Sequence, residues 1–184
     1  MDVRLTPPLV VLVTGVPGTG KSTIAEAVAG TTGWPIFNWD WLMSGLAVFP
    51  KAWEPIGRDR ELRRSVGWSL MSRLIEQRLR LRQSVILDTA AQPRALAPWS
   101  SLAEQYGAEL RVIECSCSDV DLHRSRIVGR RRDIPGWPEL EWEWVLESCA
   151  QFRPMPGDKL ELDAIEPIDE NVARAFDYLA LGRC

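Results

Sequence analysis

Short apolar runs alternate along this chain with longer stretches in which apolar residues recur every three or four positions. The runs at 9–14, 35–38, 84–88, 109–115 and 159–162 read as strands. Between and after them the periodicity predicts helices over 21–29, 59–82, 94–106, 120–130, 139–152 and 170–181. In the longest of these, Leu62, Val66, Leu70 and Leu74 recur every four residues with Met71, Ile75 and Leu79 alongside, as expected of a helix with a broad buried face. Strand and helix in strict alternation imply a mainly parallel sheet, here of five strands, between two helical layers. Ligands of such α/β folds bind at the carboxyl ends of the strands. The Pro- and Gly-bearing stretches "FPKAWEPIG" (49–57) and "RRDIPGWPEL" (131–140) interrupt the periodicity and read as loops.

Composition narrows the class. The 184 residues are 46% hydrophobic and 26% charged, with no repeat or low-complexity tract, so one globular domain over 1–184 is expected. No apolar run approaches the ~20 residues of a membrane span, and the first residues lack the order of a signal peptide, which points to the cytoplasm. Cys115, Cys117, Cys149 and Cys184 are then expected to be reduced thiols. With one histidine, His123, read as a surface helix residue, no four-ligand zinc set can be assembled. The net charge of −3 is unevenly spread: residues 51–82 carry nine basic and four acidic side chains, residues 124–132 five arginines, and residues 133–170 eleven acidic against two basic. Each cluster suits a solvated face, and the two basic ones together suit a compact anion.

The first apolar run leads directly into "GVPGTGKST", Gly15–Thr23, which fulfils GxxxxGKS with a strand before it and a helix after it. Glycines at 15, 18 and 20 let successive backbone N–H groups turn toward phosphate oxygens, and Pro17 and Thr19 complete the loop. The following helix adds its positive end. Lys21 is expected to reach the β- and γ-phosphates, and Ser22, followed by Thr23, to offer a hydroxyl to Mg²⁺. Nucleoside triphosphate binding follows, with ATP and Mg²⁺ as the implied cofactors. A guanine-reading NKxD is missing, and the one DxxG, Asp133–Gly136, falls after the fourth strand. Asp88 is followed by Thr89 and Ala90 rather than by a second acid, unlike a mechanical ATPase. A compact kinase remains.

The order "GVPGTGKST", "FNWDWL", "VILDTAAQP" and "LHRSRIVGRRR" resembles the P-loop kinases that include the phage polynucleotide 5′-kinase domain and chloramphenicol phosphotransferase, over residues 9–132. The resemblance implies a P-loop fold with a lid, acceptor-side and lid segments near 41–60 and 124–141, and a role for Asp40 as the base that takes the acceptor's proton. It places Asp88 near the metal or acceptor, and Arg126 and Arg130, four apart, over the triphosphate, with Arg124 an alternative to Arg126. Trp39 stands where the polynucleotide kinase has a basic residue.

Asp40 also has a plainer reading as the cap of the next helix. If the strand runs on, Trp39 and Trp41 share a face opposite Asp40, either in the core or lining an acceptor pocket, with Trp53 and Trp68 following in the acceptor segment. Asp88 reads as a turn residue or as a carboxylate of the Mg²⁺ shell. Trp137 either packs or stacks on adenine. The expected activity is transfer of a phosphoryl group to a hydroxyl of a small molecule such as a nucleoside, antibiotic or sugar. The alternatives are a polynucleotide 5′-hydroxyl kinase, a nucleotide-binding regulator and a toxin-like kinase acting on a nucleotide sugar.

Overall fold

The computed structural model describes residues 6–181, so Cys184 lies outside them. In chain order the elements are β1 (Leu9–Thr14), α1 (Lys21–Thr32), β2 (Ile36–Asn38), α2 (Trp39–Ala47), α3 (Pro50–Arg58), α4 (Arg60–Arg80), β3 (Val85–Asp88), α5 (Pro93–Gln105), β4 (Glu109–Ser116), α6 (Val120–Ser125), α7 (Trp142–Gln151), β5 (Leu160–Asp163) and α8 (Ile168–Tyr178).

All five strands pair in parallel, in the order β2-β3-β1-β4-β5. β1 is the centre, and helices cover both of its faces, which is why its sequence is apolar throughout rather than alternating. Val10 and Leu12 face a core built with Trp68, Met71, Ile75 and Leu79 of α4 and Trp99 of α5. Val11 and Val13 face Ile24, Ala25 and Val28 of α1 and Ala175 of α8. Because β1's two neighbours belong to crossovers that leave in opposite directions, a crevice opens beyond its carboxyl end. The Gly15–Thr23 loop leaves β1 at that point.

Four sequence expectations need correction. The stretch 49–57, read as a loop, is helix α3: Pro50 stands at its first position, where no N–H is needed, and Pro55 is accommodated within it. Residues 39–47 form helix α2 instead of continuing the strand, so Trp39 and Trp41 do not alternate across a sheet. The helix after β4 stops at Ser125 rather than running to Arg130, and left-handed turns at Gly129 and Asp133 follow. On α4 the buried line is Trp68, Met71, Ile75 and Leu79, whereas Leu62 and Leu70 of the four-residue repeat face outward.

Candidate functional site

The loop after β1 is a backbone cradle held open by its glycines. Gly15, Gly18 and Gly20 all have positive φ, at 139°, 87° and 82°. A Cβ on Gly15 would stand 2.1 Å from the carbonyl oxygen of Cys115, so nothing larger fits between the loop and β4. The hydroxyl of Thr19 and the ammonium of Lys21 both donate to the carbonyl of Val16, at 2.8 and 3.0 Å, which fixes the loop's curvature. Helix α1 opens without a side-chain cap and without an acidic residue in its first turn. Its leading N–H groups and positive end are therefore directed at the loop's concave side, an arrangement suited to phosphate.

His123, expected at the surface, props this loop. It is 5% exposed, its Nε2 lies 2.7 Å from the carbonyl oxygen of Pro17, and Trp142 packs edge-on against its ring. With a carbonyl as partner, Nε2 must carry the proton and donate. The signal in the sequence was slight: a histidine four residues after the Asp119 that caps α6.

Strand register brings the carboxylates to the cradle. Asn38 of β2 lies beside Asp88 of β3, which lies beside Val13 of β1. Asp88 is buried, and its Oδ2 accepts from the Ser22 hydroxyl and from the Asn38 amide, each at 2.7 Å. The Asn38 side-chain oxygen in turn accepts from the Trp41 N–H and caps α2. Capping thus falls to Asn38 rather than to Asp40. The signal for it was an Asn immediately before an apolar helical run.

Asp40, freed from capping, pairs with Arg132 at 2.7 Å, and Arg132 also bonds Glu139. The guanidinium donates to the carbonyl of Pro138 as well. Burial pushes the Asp40 carboxyl above the usual carboxylate range. Arg132 first and Lys21 second act against that push, Asp88 adds to it, and a hydrogen bond from Trp137 lowers it. Asp40 lines the same cavity as Lys21 and Asp88.

One cavity of about 310 Å³ joins these groups. Pro17, Gly18, Lys21 and Ser22 form its phosphate end, and Asp40 and Asp88 its floor. Trp39, Trp53 and Trp137 make an aromatic wall, with Trp137 edge-on to Trp39 at 5.9 Å and to Trp53 at 5.5 Å. Gly67 of α4 makes room for this wall, since a Cβ there would stand 1.9 Å from the Trp39 Nε1. Arg60, Arg63, Arg64, Arg130 and Arg132 also line it.

Three residues expected here are elsewhere. Trp41 is 54% exposed and does not line the cavity, because on a helix it points away from Trp39. Arg126 follows the end of α6, so its spacing of four from Arg130 no longer means a shared face. Its guanidinium donates to the Ala164 carbonyl at 2.8 Å. Of the arginine cluster, Arg130 and Arg132 line the cavity. Trp137 sits in the aromatic wall. Thr23 is exposed in the first turn of α1 and lines neither this cavity nor the next.

A second cavity, of about 260 Å³, opens on the other flank of the cradle. Thr19, Gly20, Cys115, Arg126 and the segment 164–168 line it. Burial pushes the Cys115 thiol up to about 12, so it is a neutral wall group rather than a nucleophile.

Among the described residues no three His, Cys, Asp or Glu gather into a metal-holding group. Ser22 and Asp88 still suit Mg²⁺: they are hard oxygen donors 2.7 Å apart at the phosphate end, and Mg²⁺ characteristically completes its shell with phosphate oxygens and water. None of the described helices is long and apolar enough to cross a membrane.

Comparison with known proteins agrees with this layout. A sugar kinase from Janibacter sp. HTCC2649 superimposes with a TM-score of 0.71 at 19% identity, covering 96% of each chain. A gluconokinase from Sinorhizobium meliloti 1021 gives 0.66 at 21% identity, covering 96% of this chain and 94% of its own. The Mycobacterium tuberculosis APS kinase in complex with AMPPNP and APS gives 0.60 at 18% identity, covering 94% and 97%. These likenesses establish the three-layer P-loop kinase fold. No curated protein matches the chain. A family model described as an AAA domain matches residues 10–151, from β1 through the end of α7, and the chain belongs to that family.

Proposed function

We propose that the protein is an ATP- and Mg²⁺-dependent kinase that transfers the γ-phosphoryl group to a hydroxyl of a small molecule, a nucleoside, antibiotic or sugar-like compound. One observation carries the reading: Asp40 and the phosphate cradle wall the same cavity, whose volume and aromatic side suit a small acceptor. The fold's likeness to a sugar kinase and a gluconokinase supports it.

In this reading the triphosphate lies along the Gly15–Ser22 loop, and the nucleoside continues into the second cavity beside Arg126. The acceptor enters from the Trp53 and Trp137 side. Its hydroxyl oxygen bonds to the γ-phosphorus while the bond from that phosphorus to the β–γ bridging oxygen breaks. The hydroxyl proton passes to the Asp40 carboxylate, and ADP leaves with the electron pair. Lys21 and Arg130 neutralise charge on the transferring group, and Arg132 and Trp137 orient Asp40. Mg²⁺, held by Ser22 and Asp88, would supply charge neutralisation on the phosphate oxygens.

The test is ADP release from Mg-ATP across nucleosides, aminoglycosides, amphenicols, sugars and nucleotide sugars. A 5′-hydroxyl oligonucleotide belongs in the same panel, because the arginines also suit a phosphodiester backbone. Stimulation by one class is expected. A slow release indifferent to every acceptor would overturn the reading in favour of a nucleotide-binding regulator.

A further inference from the structure

We propose that the acceptor carries an anionic group, a carboxylate or a phosphate, and that Arg60, Arg63 and Arg64 of α4 hold it at the end of the cavity away from the cradle. This rests on the kinase reading of the same site. The buried stripe of α4 runs through Leu79, Ile75, Met71 and Trp68. Continued toward the helix start at the same three- and four-residue spacing, it reaches Arg64, Arg63 and Arg60. The face that lies on the core for three turns is thus occupied by guanidinium groups where it meets the cavity.

These cations are under-compensated. Arg63 donates to the Gly57 carbonyl at 2.9 Å, and among the described residues it pairs with no carboxylate. Arg60 bonds the Ser148 hydroxyl at 3.3 Å and lies 3.9 Å from Glu147, a loose pair on an exposed glutamate. Arg64 has Glu61 at 2.8 Å, but Glu61 is shared with Arg94. Burial, and then the charge of Arg64, holds Arg60 below the usual guanidinium range. Burial, and then Arg60 and Arg64, does the same to Arg63.

The cavity as a whole is lined by six cations and three carboxylates, in a chain whose net charge is −3. Its carboxylates are committed: Asp88 to Ser22 and Asn38, Asp40 and Glu139 to Arg132. Among the described residues only the exposed Glu61 and Glu147 stand against the three arginines at the start of α4, and Arg63 pairs with neither; an arriving anion would complete the compensation through charge-assisted hydrogen bonds, of which a guanidinium can form two at once. ATP is not that anion. The cradle stands on β1 and α1, whereas α4 packs against α2, α3, α5 and β3, and its arginines reach Ser148 and Gln151 of α7. Asp40 and the aromatic wall line the same cavity as both. A small hydroxy acid or sugar phosphate spans that space with its anion on α4, its body on Trp53 and Trp68, and its hydroxyl at Asp40.

The experiment pairs charged and neutral acceptors: hydroxy acids against their amides, and sugar phosphates against the free sugars. ADP release is measured for wild type, Arg63→Gln, Arg63→Lys and Arg58→Gln, with tryptophan fluorescence following acceptor binding in the absence of ATP. Charged members of one series are expected to be preferred, and the preferred series identifies the anion. Arg63→Gln should raise the acceptor KM roughly 10- to 100-fold with the KM for ATP unchanged. Arg63→Lys should recover part of the loss. Arg58→Gln, at an exposed pair with Glu54, should change nothing. Neutral acceptors that work as well as charged ones, with KM indifferent to Arg63→Gln, would overturn the anion assignment and leave the kinase standing. Acids that bind wild type but not Arg63→Gln, with no ADP released, would keep the anion site and sink the kinase. An oligonucleotide preferred over every small acid, or no acid binding at all, would overturn the proposal.

Discussion

The two ends of the central cavity are built on opposite plans. The phosphate end comes from eight consecutive residues, Gly15–Ser22, and works through backbone: positive φ angles, a carbonyl of β4 pressed against Gly15, and the open start of α1. The other end, the acceptor end in the proposed reading, comes from side chains on α2, α3, α4, α7 and the segment 126–141. Its Asp40–Arg132 pair joins residues 92 positions apart. A backbone cradle tolerates almost no change of residue and binds what every such loop binds. A side-chain wall can be altered residue by residue, so specificity belongs there.

That contrast can be broken most severely at Asp40. Asp40→Asn should lower turnover by about 10²- to 10⁴-fold and leave ATP affinity nearly unchanged, as read by steady-state kinetics beside titration calorimetry with ATP. Gly15 and Gly67, the two most crowded of the described glycines, form a matched pair that sharpens the contrast. Gly15→Ala puts a methyl group into the Cys115 carbonyl at a positive φ, and roughly a tenfold or greater loss of ATP affinity is expected. Gly67→Ala drives the Trp39 indole off α4. It should raise the acceptor KM several-fold with ATP affinity intact; equal damage to both substrates would erase the distinction between the two ends.

The smallest expected effect is on pH dependence. Burial raises the Asp40 carboxyl, so if Asp40 is the base, as proposed, activity is lost as pH falls through a value above the usual carboxylate range. Arg132 opposes that rise. Arg132→Gln should therefore move the acid limb of the kcat profile further up. A downward shift would show that Arg132 does not act on this group.

How much of each end was legible in the sequence follows from the same contrast. The cradle, its flanking strand and its helix lie within one short motif, and residues with special backbone needs announce themselves as Gly. Asp88 ends β3, which pairs in parallel with β1, and Asp40 lies two residues past the end of β2, which pairs with β3, so strand order alone delivers both near the cradle without any knowledge of packing. The acceptor side depended on features that no local pattern carries. Pro50, Pro55 and Gly57 masked α3, although Pro at a first helical position is favourable. The Leu62 and Leu70 repeat drew attention to the outer side of α4 and away from the arginines on its inner side. Spacing suggested that Arg126 and Arg130 share a helix face, but α6 ends at Ser125. His123 became a buried prop only once β4 and the cradle were adjacent.

The central claim is that this cavity passes a phosphoryl group to a hydroxyl rather than to water. It is tested most directly by giving the enzyme ATP labelled with ¹⁸O on the non-bridging γ-phosphate oxygens, together with the acceptor that best stimulates ADP release, and weighing the products by mass spectrometry. The expected result is a phosphorylated acceptor that has gained the labelled phosphoryl group through its own unlabelled oxygen, in wild type and not in Asp40→Asn. Label found only in inorganic phosphate, at equal rates in both proteins, would contradict it.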